Sequence, residues 1–324
     1  MIITRTPYRV SLFGGGSDLP VWYEKHGGKV VSFSIDKYSY LTLRELPPFF
    51  KHKYRISYSK VEITSLVEEI QHPAVRAAFR KIAADMSLEL HHHGDLPAQS
   101  GVGTSSAFAV GLINALSILR GENKSQLELA QMAIDLEQID LMENVGSQDQ
   151  IACAVGGLNY LEFGPGKNWS CTPFALTKTY TGMLESRMLL VYSGVRRISS
   201  DVSKGLIDNM DKSKSYILRT IELAEECHRI LKQGENLDLI GEMLNESWHL
   251  KMMSNPLSTN DLLINFYEKG IRAGALGGKI LGAGGGGFFM FWVPSPNLEA
   301  FKFAMKDYVI VPIQISNEGT TRIL

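Results

Sequence analysis

The chain has 324 residues, 44% of them hydrophobic, and its 33 Lys and Arg against 34 Asp and Glu give a net charge of −1. This length predicts two domains of about 100–200 residues, each able to bury its own core. The near-neutral charge argues against nucleic acid and anionic membranes as partners, although local charge could still serve a small anionic ligand. Nothing in the sequence indicates an oligomeric state.

The three cysteines, Cys153, Cys171 and Cys227, lie far apart and form no CxxC pair. That pattern is typical of a reduced, cytoplasmic protein rather than a disulfide-bonded one. The first ten residues lack the apolar stretch of a signal peptide. The 30 glycines exceed the roughly 7% of average composition, and twelve of them lie in three short segments.

The N-terminal third is predicted to consist mainly of strands. Residues 4–13 and 29–43 are rich in β-branched and aromatic residues, and residues 57–63 and 87–91 are shorter strand candidates. In residues 73–85 the apolar positions recur at helical spacing, which predicts a helix between these strands.

The middle of the chain alternates between helices and strands. Residues 107–119 are almost wholly apolar, which favours a buried helix. The segment from Ser125 to Glu128 has the form of a capping box and starts a helix predicted to reach residue 142. Residues 151–163 and 187–192 have the composition of strands.

The last third is more helical and more charged. Residues 201–253 predict two helices separated near Gly234, and residues 262–273 predict another. A glycine loop and an apolar strand follow in residues 281–293, and residues 308–315 predict a further strand. Because strands and helices mix without a regular βαβ rhythm, the predicted fold class is α+β.

A glycine-rich turn precedes the apolar helix of residues 107–119. Gly101 and Gly103 allow the backbone to approach a ligand closely, and the first N–H groups of the helix favour a bound phosphate. Hydroxyl groups such as that of Ser105 could hold a metal-bound phosphate or only cap the helix, so an ordinary N-cap explains the same residues. A Walker A loop is excluded, because no Gly-Lys pair is followed by Ser or Thr.

A second glycine loop, residues 282–287, matches the pattern GxGxxG. An apolar strand follows it where a dinucleotide-binding fold requires a helix, so we interpret it as a flexible loop beside a buried strand. Close packing of the backbone against another element is the alternative interpretation.

Glu137 is a carboxylate on the apolar stripe of the helix that starts at Ser125. The stripe runs through Leu127, Ala130 and Ile134 to Glu137 in steps of three and four residues. Burial of an unpaired carboxylate is costly, so Glu137 is expected to have a cation, a metal ion or hydrogen-bond donors beside it. Alternatively it lies at the edge of the stripe and reaches solvent.

Asp149 lies in a polar segment, residues 146–150, directly before an apolar run. Such a position can fix a general base beside a pocket, or it can be a simple Asx-turn. The run His91-His92-His93 does not predict a metal site, because consecutive strand residues point to opposite faces and no Cys or His cluster lies nearby.

Three segments together resemble the GHMP kinase superfamily, which includes galactokinase, homoserine kinase and mevalonate kinase. They are residues 7–18 (PYRVSLFGGGSD), 95–106 (DLPAQSGVGTSS) and 277–287 (GGKILGAGGGG). The resemblance implies an α+β fold with a ribosomal-protein-like α/β domain at residues 1–180, a ferredoxin-like α+β domain at residues 181–324, and the active site between them. It also implies phosphoryl transfer from ATP with Mg²⁺.

Within the superfamily, the segment from Gly14 to Asp18 is similar to the branch of sugar-1-kinases that act on D-glycero-D-manno-heptose 7-phosphate. That similarity implies phosphorylation of the anomeric C1 hydroxyl of this sugar. A kinase for another sugar, such as L-fucose, and a non-catalytic sugar or nucleotide sensor on the same fold are the alternatives.

The resemblance also assigns site residues. Asp149 and Arg9 match the catalytic pair, and Ser105 and Glu137 match the magnesium ligands. The expected phosphate-binding residues of the ATP site are Ser100, Gly101, Val102, Gly103, Thr104, Ser105 and Ser106. The expected substrate-binding residues are Gly15, Gly16, Ser17, Asp18, Arg197, Gly284 and Gly285. Gln99 departs from the family pattern, because it places a long side chain where the phosphate loop has a glycine.

Overall fold

The computed structural model describes residues 1–195, 210–254 and 259–324 of the chain. The strands are β1 (Ile2–Phe13), β2 (Gly28–Glu45), β3 (Tyr54–Ser57), β4 (Val61–Thr64), β5 (Leu88–Gly94), β6 (Leu158–Gly164), β7 (Asn168–Pro173), β8 (Met188–Tyr192), β9 (Gly277–Ile280), β10 (Phe288–Trp292), β11 (Val309–Pro312) and β12 (Thr321–Arg322). The α-helices are α1 (Pro20–His26), α2 (Pro73–Ile82), α3 (Thr104–Leu119), α4 (Gln126–Asp135), α5 (Gln148–Val155), α6 (Lys178–Glu185), α7 (Met210–Gln233), α8 (Asp238–Ser254), α9 (Asp261–Arg272) and α10 (Leu298–Ala304).

The larger sheet has the order β12-β1-β2-β5-β3-β4, and β6 joins β2 to β7. The long strand β2 makes this branching possible, since its first residues pair with β6 and its last residues pair with β5. Helices α3 and α5 pack against β1 and β2. Helix α3 is buried on nearly all sides, as its uninterrupted apolar sequence predicts.

The smaller sheet is antiparallel, with the order β11-β8-β10-β9. Helix α8 packs against β9 and β10. The strand β10 has five buried residues in succession, and Phe289 and Phe291 contact the aromatic rings of Trp248 and Tyr267. These aromatic side chains fill the space between the helices and the sheet.

The end of the described chain returns to the larger sheet. Strand β12 pairs with β1, and the Thr6 and Thr320 hydroxyl oxygens are 2.8 Å apart in a buried hydrogen bond. The Gly157 N–H donates to the Ser316 carbonyl at 2.7 Å, and the Ser316 N–H donates to the Ser34 carbonyl at 2.9 Å. Residues from both ends of the sequence therefore build one sheet. The predicted boundary at residue 180 falls inside α6, and the division into 1–180 and 181–324 stays a prediction.

Three predicted elements were wrong in detail. Residues 151–163 do not form one strand, because α5 continues to Val155 and the chain turns at Gly156 and Gly157, both with positive φ, before β6. Residues 57–63 belong to the hairpin of β3 and β4 rather than to a single strand. The helix that starts at the confirmed Ser125 capping box is α-helical to Asp135 and continues as one π-helical turn, Leu136–Asp140.

The other helix and strand predictions in the described ranges agree with the structure within a few residues, while part of the predicted segment 201–253, residues 201–209, lies outside those ranges. The sequence analysis missed short elements such as α1, α6, β7 and β9. None of the helices in the described ranges is long and apolar enough to cross a membrane.

Candidate active site

Arg9 and Asp149 form a bidentate ion pair at the centre of the candidate site. The Arg9 Nε donates to Asp149 Oδ1 at 2.6 Å, and its Nη2 donates to Oδ2. Arg9 is buried on β1, whereas the Asp149 side chain is 23% exposed in the first turn of α5. The positive end of the helix dipole also stabilises a carboxylate at this position. The pair therefore presents a fixed, partly accessible carboxylate.

The glycine-rich turn of residues 100–103, expected to bind phosphate and called the phosphate loop below, runs directly beside this ion pair. The Arg9 Nη1 donates to the Gly101 carbonyl at 2.6 Å, and the Arg9 N–H donates to the Val102 carbonyl at 3.0 Å. Gly103 caps α3 with φ of 73°, and a Cβ there would lie 2.9 Å from Arg9 Cγ. The loop thus brings the amino-terminal end of α3, with its unpaired N–H groups, next to Asp149.

Gln99 adopts φ of 58°, a left-handed conformation that residues with a side chain rarely adopt. This is the position at which the sequence departs from the glycine of the family pattern. The backbone at Gln99 therefore has a conformation that glycine adopts without strain and that glutamine adopts at a cost.

The third motif packs against the phosphate loop. The Phe288 N–H donates to the Ser100 carbonyl at 3.1 Å, and an added Cβ at Gly282 would lie 2.8 Å from Gly101 Cα. An added Cβ at Gly101 would overlap the Leu281 carbonyl oxygen. The glycines between β9 and β10, including Gly284 and Gly285, have positive φ. Backbone contact between the two loops joins the two sheets at the site.

Glu137 lies in the π-helical turn and is 2% exposed. The Ser106 hydroxyl donates to its carboxylate at 2.8 Å, and the Gln150 amide donates to the same oxygen. Burial raises the pKa of Glu137 to about 7. Ser105, on the same turn of α3 as Ser106, is exposed. The stripe argument correctly predicted burial of Glu137, although Leu127, which started the stripe, is 53% exposed.

Asp18 connects the first glycine loop to α5. The Gly16 N–H donates to Asp18 Oδ1 at 2.9 Å, and the Gln148 N–H donates to Oδ2 at 3.3 Å. Burial, followed by the charge of Asp149, raises the pKa of Asp18. The neighbouring Ser17 hydroxyl donates to the Gly14 carbonyl at 2.7 Å inside the loop. The hydrogen bond from Gln148 thus holds Asp18 beside the first turn of α5, which carries Asp149.

Two lysines at the site were missed by the sequence analysis. The Lys279 Nζ on β9 donates to the Leu12 carbonyl at 2.9 Å, and the Lys251 Nζ on α8 donates to the Gly282 carbonyl at 2.8 Å. Burial and neighbouring cations lower the pKa of Lys279 to about 8 and of Lys251 to about 7. Lys251 follows the buried Leu244 and Trp248 at helical spacing, so the stripe argument applied to Glu137 would have found it.

The structure thus brings together the predicted residues of the first glycine loop, the phosphate loop, the third motif, Glu137 and Asp149. Arg197 lies outside the described residues. The histidine run is on β5, away from this set, and His92 Nε2 is 3.1 Å from the Ser39 hydroxyl oxygen. Within the described ranges, no group of three His, Cys, Asp or Glu residues is placed to hold a metal ion.

Comparison with known proteins identifies the family. Two family descriptions, "GHMP kinases N terminal domain" and "GHMP kinases C terminal", match residues 64–157 and 223–310, which together cover more than half of the chain. The chain is 28% identical to D-glycero-alpha-D-manno-heptose 7-phosphate kinase of Campylobacter jejuni, over 94% of both chains. It is 24% identical to the bifunctional fucokinase/GDP-fucose pyrophosphorylase of Arabidopsis thaliana, over 87% of this chain and 29% of that protein.

The fold agrees with these sequence matches. The structure superposes on that of a D-glycero-D-manno-heptose 1-phosphate kinase from Bacteroides thetaiotaomicron with a TM-score of 0.82, at 22% identity and over 100% of this chain and 99% of that one. The family and the two-domain α+β fold predicted from the three motifs are therefore confirmed. The chain belongs to the GHMP kinase family and is a sugar kinase.

Proposed function

We propose that this sugar kinase transfers the γ-phosphoryl group of ATP to the anomeric C1 hydroxyl of D-glycero-D-manno-heptose 7-phosphate. The name of the Campylobacter jejuni relative supports this acceptor, and so does the segment Gly14–Asp18 shared with that branch. One observation carries the kinase mechanism: a partly exposed Asp149, held at both oxygens by Arg9, lies beside the phosphate loop.

Asp149 is the proposed general base. Its carboxylate accepts the proton of the sugar hydroxyl as that oxygen attacks the γ-phosphorus. Arg9 fixes the orientation of the carboxylate, so little rearrangement is needed in the transition state. Since Arg9 also donates to the Gly101 carbonyl, the same side chain fixes the position of the base relative to the phosphate loop.

The phosphate loop and the first turn of α3 are the proposed binding site for the ATP phosphates. Backbone N–H groups at this helix terminus and the hydroxyl groups of Thr104 and Ser105 suit anionic oxygens. Lys279 and Lys251 lie within electrostatic range of Arg9, so the site gains positive charge from both sheets. Such charge favours a substrate that brings several phosphate charges.

Glu137 and Ser105 are the proposed residues that would hold a magnesium ion, although Glu137 itself pairs with Ser106 and Ser105 is exposed. Mg²⁺ in kinases needs only one or two protein oxygens, because substrate phosphates and water complete its coordination. Glu137 is a buried carboxylate whose partners within the described residues are the neutral Ser106 and Gln150, so a cation would offset its burial. Bound Mg²⁺ would supply charge neutralisation at the phosphate oxygens. Arg197 remains the proposed residue for the 7-phosphate of the sugar.

An ADP-release assay over a panel of acceptors tests the substrate. The panel contains D-glycero-D-manno-heptose 7-phosphate, the unphosphorylated heptose, L-fucose and D-mannose. The highest kcat/KM is expected with the heptose 7-phosphate. A higher kcat/KM with L-fucose or an unphosphorylated sugar would identify that sugar as the acceptor instead. A protein that releases no ADP with any sugar would be a sensor rather than a kinase.

Asp149→Asn tests the general base. The change keeps an oxygen for Arg9 but removes the basic carboxylate, so kcat should fall by about 10²- to 10⁴-fold with KM for ATP nearly unchanged. Asp238→Asn is the matched control, because Asp238 also pairs with an arginine, Arg187, outside the site. Equal activity in both variants would contradict the role of Asp149.

A further inference from the structure

Two buried polar side chains beside the Arg9–Asp149 pair have atoms without a hydrogen-bond partner among the described residues. They are the Ser11 hydroxyl and the Gln148 side-chain carbonyl oxygen. Each residue is only 7% exposed. Buried polar groups are nearly always satisfied in native proteins, since each unsatisfied group costs roughly 1–3 kcal/mol. Two such groups next to a reactive carboxylate can form hydrogen bonds to a polar ligand.

Both side chains face the first glycine loop. Ser11 lies two residues after Arg9 on β1, so the two side chains share one face of the sheet. Gln148 directly precedes Asp149 in the first turn of α5. A Cβ added at Gly15 would lie 3.9 Å from Ser11 Oγ and 3.9 Å from Gln148 Nε2. Position 15 is therefore adjacent to both side chains.

Protein packing does not require a glycine at position 15. Its φ is outside the left-handed region, and an added Cβ would meet no atom closer than 3.9 Å. The neighbouring Gly14 is different, because a Cβ there would overlap the Lys29 carbonyl oxygen and its φ is 89°. The described protein atoms thus leave room for one methyl group at position 15, where it would touch Ser11 Oγ and Gln148 Nε2.

The charges around this space favour hydroxyl groups over a phosphate. Asp18 and Asp149 are the neighbouring carboxylates, and the Arg9 guanidinium already donates to Asp149 and to the Gly101 carbonyl. The unsatisfied Gln148 oxygen can only accept a hydrogen bond, whereas a serine hydroxyl can donate or accept. A sugar ring offers O–H groups that suit both, while an unprotonated phosphate has no proton to donate.

We propose that Ser11 and Gln148 bind ring hydroxyl groups of the acceptor sugar, and that the lack of a side chain at Gly15 keeps both polar groups accessible to the ring. This inference rests on the sugar-kinase function and adds two specificity-determining residues to it. The ring then lies between the first glycine loop and α5, with one hydroxyl free to approach Asp149. Any phosphate of the acceptor points away from Ser11 and Gln148.

Gly15→Ala is the sharpest test, because the structure has space for the methyl group in the absence of ligand. The melting temperature should be unchanged or slightly raised, while KM for the acceptor rises about tenfold or more and KM for ATP stays within about twofold. Ser11→Ala and Gln148→Met should each lower kcat/KM for the acceptor by about 3- to 10-fold. Ser117→Ala, which removes another buried unpartnered hydroxyl twelve residues beyond Ser105 on α3, should leave both constants unchanged.

The probes are D-glycero-D-manno-heptose 7-phosphate and its unphosphorylated form, or L-fucose if the wild-type protein turns over only that sugar. If the variants lose kcat/KM equally with both heptoses, contact with the ring hydroxyls is supported. A loss of kcat/KM confined to the phosphorylated heptose would overturn the proposal. If the wild-type protein is an active kinase and the variants keep its kinetic constants, this inference is refuted while the proposed function stands. A wild-type protein inactive on every sugar would refute the proposed function itself.

Discussion

Lys279 illustrates how a single buried charge can serve the site at the expense of stability. Its ammonium group has one protein hydrogen bond within the described residues, to the Leu12 carbonyl, and burial together with the charge of Arg9 lowers its pKa to about 8 from 10.5. Desolvation of a cation without a carboxylate beside it is unfavourable. A bound polyanion would compensate this charge, so we interpret Lys279 as part of the electrostatic environment of the phosphates.

The lowered pKa of Lys279 predicts a pH-dependent stability. Between pH 8 and 10.5 the folded state binds fewer protons than the unfolded state, so the free energy of unfolding rises with pH in that window. Lys279→Met removes this contribution. The stability of the wild type relative to the variant should therefore increase by up to about 3 kcal/mol from pH 8 to pH 10.5, measured by urea unfolding.

Lys302→Met, at a half-exposed surface lysine, is the control for the replacement of lysine by methionine. A pH-independent difference for Lys279→Met would mean that the Lys279 ammonium group is hydrated in the folded protein.

At the scale of elements, the contact between the phosphate loop and the third motif depends on glycine. An added Cβ at Gly101 would overlap the Leu281 carbonyl oxygen, whereas one at Gly121, at the end of α3, meets no atom within 4 Å. Both glycines have positive φ, 85° and 75°. They therefore differ in packing but share the same backbone strain on substitution.

Gly101→Ala and Gly121→Ala form a matched pair for this contact. Gly121→Ala should cost about 1–2 kcal/mol of unfolding free energy, because alanine is strained in the left-handed region. Gly101→Ala should cost about 1–3 kcal/mol more, because the two loops must also separate. Chemical denaturation measures both values. Equal losses would show that the loops do not need close contact.

Elements with a strong local signal were predictable, and elements fixed by tertiary contacts were not. The Ser125 capping box and the apolar run of α3 contain their own start signal or periodicity, and both predictions are confirmed. The run beginning at Ile151 has strand-like residues, yet α5 forms there because it packs on β1 and β2. The π-helical turn at Glu137 has no local pattern that would have predicted it.

Residues of the candidate site were predictable where a charged side chain interrupts an apolar sequence pattern. Glu137 interrupts an apolar stripe, so its burial and its need for partners followed from helical spacing. Gln150 and Ser11 are ordinary polar residues in the sequence, and only the folded arrangement brings them to Glu137 and to Gly15. Distances between segments far apart in the sequence are set by the sheet topology, which local patterns do not encode.

At the scale of the whole molecule, residues 316–322 complete the larger sheet. Besides β12, this segment provides the buried Thr320 hydroxyl, and an added Cβ at Gly319 would overlap the Ala154 carbonyl oxygen. Ala154 belongs to α5, which carries Asp149. The position of the proposed base is therefore supported by the end of the described chain.

Gly319→Ala tests this support from the other end of the chain. The added methyl group should displace residues 316–322 from α5 and lower the melting temperature, with faster amide hydrogen exchange in β1 and α5 than in the smaller sheet. Glu318→Gln is the control, because it removes only the exposed ion pair with Arg5 and should change stability by less than about 1 kcal/mol. Uniform exchange across both sheets would contradict local support.

The closure of the larger sheet also determines when the enzyme can fold during its synthesis. Thr6 and Thr320 are 314 positions apart, so β1 leaves the ribosome long before its partner β12 has been translated. Until then one edge of β1 is unpaired and exposed to other strands. Contacts between residues so far apart in sequence form slowly, so we expect the pairing of β1 with β12 to be among the last steps of folding.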